Sequence, residues 1–125
     1  MREILFRAKT KATKEWTYGH FAKQYDVPQI YAGNGHECIY EDTLCQYTGL
    51  TDKNGTKIFE GDVVRYGDTI HKVVFEQRNG TAYFGLVYSP IETLPFGHYQ
   101  DLRQLEVIGN IYDNPELIGG AENDT

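Results

Sequence analysis

The stretch Cys45–Tyr66, CQYTGLTDKNGTKIFEGDVVRY, constrains this chain most, because it compresses two backbone corners and the beginnings of three strands into a single short run. At Asp52-Lys53-Asn54-Gly55, Asn and Gly accept the positive φ that a tight reversal demands, and Asp can bond its own downstream backbone. A hairpin follows, with Ile58 and Phe59 as apolar bulk on the return. Gly61 before Asp62 permits a second corner ahead of the β-branched pair Val63-Val64. Corners this close predict a small, strongly bent, barrel-like antiparallel sheet. Turn chemistry alone accounts for Asp52, Glu60 and Asp62, and acids in turns are ordinarily solvated, so they read as rim residues.

At 125 residues the chain is long enough for one β domain, expected over 1–120, with 121–125 as a disordered acidic tail. Much of its apolar area is aromatic, with ten Tyr, six Phe and one Trp, and so many hydroxyls must reach a surface. The net charge of −6 disfavours a nucleic-acid partner, since the bases are scattered apart from Arg7, Lys9, Lys11 and Lys14. No apolar run reaches membrane length and no leader pattern precedes Arg2-Glu3-Ile4. The expectation is a cytoplasmic protein with reduced thiols and no membrane partner.

Taken in order, REILFRA at 2–8 alternates as a first strand, and Trp16 and Tyr18 begin a second, broken by Gly19, whose aromatic pair is expected in the core. Between Ala22 and Glu37 no period holds, and this segment is expected to be a loop. Val63 through Tyr88 reads as a three-stranded meander of SH3-like character, its second hairpin marked by Asn79-Gly80. The segment 89–97, with Pro90 and Pro95, is expected to lack regular structure, and 99–104 to form a helical turn. LEVIGNIY at 105–112 is the last strand, with Gly109 as a bulge or close approach. Asn114-Pro115-Glu116-Leu117 then carries the cap, Pro and acid of a closing helical turn. The two end strands are expected to pair with each other or across subunits.

These blocks carry a resemblance. REILFRA, QYTGLTDKNGTKIFEGDVVRY from Gln46, VVFE ending at Glu76 and EVIGNIYDNPEL at 106–117 are similar to the YopX family of phage and prophage proteins. The resemblance implies a mostly β, phage-encoded protein that self-associates in a bacterial host cell. It brings no established activity to particular residues.

Candidate chemistry is thin. His36, Cys38 and Cys45, with His20, His71 or His98, lack the repeated paired spacing of structural zinc, and neither thiol sits in a motif that would activate it. Both cysteines read as small buried residues on neighbouring strands. The carboxylates Glu41-Asp42 and Glu60 with Asp62 would need a shared cleft to act as acid and base. No glycine run stands in a nucleotide-cradling context. Enzyme chemistry and cofactors are therefore not expected. The aromatic series Tyr66, Phe75, Tyr83, Phe84 and Tyr88 could stack single-stranded bases, with Arg65, Lys72, Arg78 or Arg103 as the basic lining. The leading expectation is a homo-oligomeric interaction or assembly module, taking a host or phage protein partner through Tyr66, Tyr83, Tyr88, Tyr25 and Tyr31.

Overall fold

The computed structural model describes residues 4–33, 35–78, 80–89, 92–96 and 104–118. It is mainly β and antiparallel, as expected, but built as two sheets with, among the described residues, only short 3-10 turns, and neither sheet closes into a barrel. The chain divides into two compact units, Met1–Gly49 and Leu50–Thr125. The first holds β1 (Phe6–Lys9), β2 (Trp16–Gln24), β3 (Val27–Ala32), β4 (Gly35–Cys38), a 3-10 turn at Glu41–Thr43 and most of β5 (Cys45–Thr51). The second holds the end of β5, β6 (Lys57–Phe59), β7 (Asp62–Tyr66), β8 (Thr69–Arg78), β9 (Thr81–Ser89), β10 (Glu92–Pro95), β11 (Leu105–Asn110) and a closing 3-10 turn, Pro115–Ile118.

In the first unit the strands run β4-β3-β2-β1-β5. Ala8, Ile30 and Ile39 form its buried centre, flanked by Phe6, Phe21 and Leu44, with the two Phe rings 6.0 Å apart. Each buried isoleucine contributes about 1.5–3 kcal/mol by transfer. The sheet curls, so that Thr10, just beyond β1, bridges Ile39, just beyond β4.

Gly19 makes the curl possible. β2 pairs with β1 as far as Gly19 and with β3 from His20 onward. A Cβ at Gly19 would fall inside contact distance of the Tyr31 carbonyl and 3.1 Å from Ile30 Cγ2. Gly19 therefore sits within a continuous strand and bends it.

The segment 22–37 is not a loop. It forms the end of β2, β3 and β4, joined by a two-residue turn at Tyr25 and Asp26, both at positive φ (52° and 65°). That is the geometry of a primed hairpin turn without glycine, so the usual signal is missing. Pro28 is tolerated because only its carbonyl is needed, accepting from the Ile39 N–H.

The second unit's sheet runs β10-β9-β8-β7-β11 over Ile58, Val64, Val73, Leu86 and Leu105, with Leu50, Tyr66, Phe96 and Val107 at the margin. The meander and both Asn-Gly hairpins form where expected: Gly55 and Gly80 take φ of 83° and 78°, and Arg78 pairs with Thr81. The prolines at 90 and 95 bound a short strand instead of excluding one, since β10 pairs with β9 and ends at Pro95. At Gly109 the register of β11 against β7 shifts, and a Cβ there would lie 2.6 Å from Asn114 Oδ1 and 2.8 Å from Leu117 Cδ1. Bulge and close approach are both present. The expected turn at 99–103 and the tail at 121–125 lie outside the described residues.

The end strands do not pair with each other. β1 lies between β2 and β5, and β11 pairs with β7. Three strand edges are blunted locally. The Cys38 carbonyl of β4 accepts from the Lys11 N–H, β10 ends in proline, and β11 is engaged by the turn after β5, where the Lys53 N–H donates to the Leu105 carbonyl at 2.9 Å.

Substituting Gly19→Ala is expected to cost about 2 kcal/mol or more, because the close approach is to β3 backbone that cannot swing away. Urea unfolding followed by circular dichroism measures it, and a change within 0.5 kcal/mol, the range of an ordinary surface substitution, would show that the curl does not depend on this position.

Candidate functional site

The central stretch is tied together by one carboxylate. Asp52, only 7 % exposed, accepts from the Asn54 and Thr56 N–H groups through Oδ1 at 2.8 and 2.9 Å, and from the Val107 N–H through Oδ2 at 2.9 Å. It thus orders its own turn and fastens that turn to β11. Burial pushes its carboxyl up, but the amide donors of Val107, Thr56 and Asn54 together with Lys53 outweigh it, holding the group below the usual carboxylate range. Asp62, 1 % exposed, accepts from the Phe59 N–H at 2.8 Å. Turn chemistry was legible here, but the expectation of solvated rim acids was not met. Their oxygens are spent on backbone amides, which makes them structural groups.

Beside that turn, Lys53, Arg65, Gly67, Gln104 and Glu106 line an open depression of about 280 Å³. Glu106 sits between the two cations, 3.5 Å from Arg65 and 3.9 Å from Lys53. Exposed pairs of this kind contribute about 0–1 kcal/mol. The basic lining expected around Arg65 is thus occupied by an acid. The side chains of Arg78 and Arg103 lie outside the described residues.

Four of the five tyrosines have described side chains, two on each unit. Tyr66 packs against the second unit's core, and Tyr83 is half-buried with its hydroxyl 3.4 Å from the Thr93 carbonyl. Tyr25 stands 93 % exposed at the tip of the β2–β3 hairpin. Tyr31 stacks on His36 at 5.1 Å and donates to Gln24 Oε1 at 3.0 Å. The Tyr88 side chain lies outside the described residues.

The cysteines are unlike each other. Cys45 is buried on β5, whereas Cys38 is exposed on β4, because alternation and the sheet edge turn it outward. His71 is buried, with Nδ1 3.0 Å from the Val87 carbonyl and Nε2 2.7 Å from Thr69 Oγ1, while His20 and His36 are exposed. Among the described residues no three of His, Cys, Asp and Glu gather as a metal site would require.

A surface not anticipated from the sequence lies on the first unit. Register places Arg7 opposite Tyr18, Lys9 opposite Trp16, and His20, Tyr31 and His36 in one row, all on the face away from Ala8 and Ile30. The Arg7 guanidinium lies 4.6 Å and the Lys9 ammonium 5.3 Å from the Trp16 ring centre, and Lys11 lies 5.9 Å from that of Tyr40. Trp16 and Tyr18 were expected in the core, but Tyr18 is 46 % exposed. The signal was present: Arg7 and Lys9 are two apart, as are Trp16, Tyr18 and His20, so pairing the strands joins the two series.

The model of the family described as YopX protein matches residues 5–119. The chain belongs to the YopX family. Among solved structures, this YopX chain is similar to protein EF1440 from Enterococcus faecalis, at 24 % identity over 94 % of this chain and 99 % of that one, with a TM-score of 0.54. At that identity the likeness shows the fold alone. No curated protein matches the YopX chain. No helix among the described residues is long and apolar enough to cross a membrane.

Asp52→Asn would place an amide donor against the donors of Asn54, Thr56 or Val107, and is expected to destabilise by about 1–3 kcal/mol. Because the folded carboxyl titrates lower than the unfolded one, its stabilisation is complete above about pH 4 and is lost as pH falls through the folded value. The acid limb of stability against pH, from denaturant titrations, should flatten in the variant. An unchanged limb would mean that other carboxylates govern acid unfolding.

Proposed function

We propose that this YopX-family chain is a phage-encoded assembly module that binds another copy of itself through the outer part of the β8–β9 hairpin. The observation carrying this reading is an aromatic pair left outside the core. Val73 and Leu86 face each other in the buried centre, and the next pair along the same face is Phe75 and Phe84, 5.0 Å apart and tilted by 59°. Phe75 is 41 % exposed.

The cause lies in strand length. β7 pairs with β8 only over Thr69–Lys72, and β10, followed by the Phe96 N–H to Phe84 carbonyl bond, covers β9 no further than Phe84. The hairpin outruns its neighbours and takes its apolar row with it. An aromatic anchor on a stiff strand pair costs little conformational entropy to bury, which suits it to a subunit contact. Self-complementary apolar faces also close into symmetric dimers or rings readily. No constellation of nucleophile, base and orienting group stands on the described surface to favour catalysis instead.

Light scattering across a concentration series is expected to show a stable oligomer, and Phe75→Ser to weaken its dissociation constant at least about tenfold while leaving the circular dichroism spectrum unchanged. A wild-type chain that stays monomeric throughout the series, or a Phe75→Ser oligomer of unaltered stability, would sink the reading.

A further inference from the structure

From the outer face of the first unit we infer a second and independent binding site, one for single-stranded nucleic acid. The charge of the chain is unevenly divided. Residues 1–49 carry six basic and six acidic side chains, and residues 50–125 carry six basic and twelve acidic, so the whole net charge of −6 belongs to the second unit. Within strands β1 to β4 the bases are Arg7, Lys9 and Lys23, and the single carboxylate is Glu37. Glu37 lies between His36 and Cys38 and alternates to the opposite face. Lys23, also on that opposite face, is matched by Glu41 at 3.2 Å. The formal charges that strands β1 to β4 place on the face bearing Trp16, Tyr18 and Tyr31 are therefore the buried Arg7 and the half-buried Lys9, with Lys11, Lys14 and Glu15 exposed on the loop beside it.

Charge sign alone would suit any acidic partner; the rings narrow the choice. The face offers π-surfaces in register on successive strands: Trp16 and Tyr18 on β2, then Tyr31 stacked on His36 across β3 and β4. Arg7 and Lys9 lie against Trp16, the buried Arg7 holding the ring and Lys9 and Lys11 remaining as the accessible cations. Rings interleaved with cations on an exposed sheet are what sequence-tolerant binding of single strands requires, since every base has a π-face and every nucleotide a phosphate. Duplex lacks available base faces, and the carboxylates of an acidic peptide bring no ring to stack. Tyr18 and Trp16 are placed to stack bases, while Lys9 and Lys11 are placed to meet phosphates. The steering is local as well: the net charge of the second unit repels a polyanion, whereas the first unit is neutral overall and does not.

Trp16 is the only tryptophan in the chain, so it reports on its own face. Titrating the full chain with a twelve-nucleotide oligo(dT), and separately with oligo(U), at low salt is expected to quench its emission, with affinity falling as salt rises. Tyr18→Ala should weaken binding roughly tenfold and Lys9→Ala should lower the salt dependence, while Lys57→Ala on the second unit should change neither. Tyr18 and Lys9 are outside the buried centre, and an unchanged melting curve confirms folding. Three outcomes would overturn the site: no quenching by either oligonucleotide, equal quenching by poly-glutamate, or quenching that depends on protein concentration alone and so reports a second copy. Phe75→Ser separates this site from the assembly reading, since it should weaken the oligomer and leave quenching per chain in place.

Discussion

The carboxylate of Asp52 is the contact on which the second unit depends. One side chain closes the Asn-Gly turn after β5 and holds the amide of Val107 in β11, more than fifty residues onward. Its geometry makes a local turn into a long-range tie, so the two ends of that unit cannot part without leaving several amides unsatisfied. Asp62 repeats the device on a smaller scale at the next corner, where it caps the Phe59 amide. The corners are thus rigid because acids are buried beneath them, and the meander between inherits a defined start.

Much of that was legible in the residues. Asn54-Gly55, Gly61-Asp62, Asn79-Gly80 and Gly109 each announce a backbone need that few other residues meet, and the structure places a turn, a corner, a turn and a bulge there. Reading failed where the needed conformation was supplied without its usual residue. Tyr25-Asp26 makes a hairpin turn with no glycine, which hides β3 and β4, and Gly19 reads as a break because a glycine bending a continuous strand looks the same in sequence. The burial of individual rings was hidden for a different reason. Tyr66 and Tyr83 have the composition of an interface but lie in or near a core, whereas Trp16 and Tyr18 seemed core-like and face outward. Alternation says which residues share a face; only pairing says which face is inside.

The two units therefore present different chemistry. The second ends in an uncharged aromatic pair on an overlong hairpin and carries all of the net charge elsewhere. The first gathers cations against rings on one face and buries aliphatic residues on the other. Apolar anchoring suits a partner of the same shape and stacking suits a flexible anion, so the proposed sites need not compete.

The blunted strand edges set the kind of assembly this chain can enter. A bare edge accepts another edge, which accepts another in turn, and growth of that kind has no built-in end. Here a lysine amide occupies one edge, a proline stops a second and a buried aspartate with its neighbour closes a third. The contact proposed above uses a side-chain face instead, and a self-complementary face of that kind closes on itself. Open-ended strand addition, the route to fibres, is in this way opposed at these three edges.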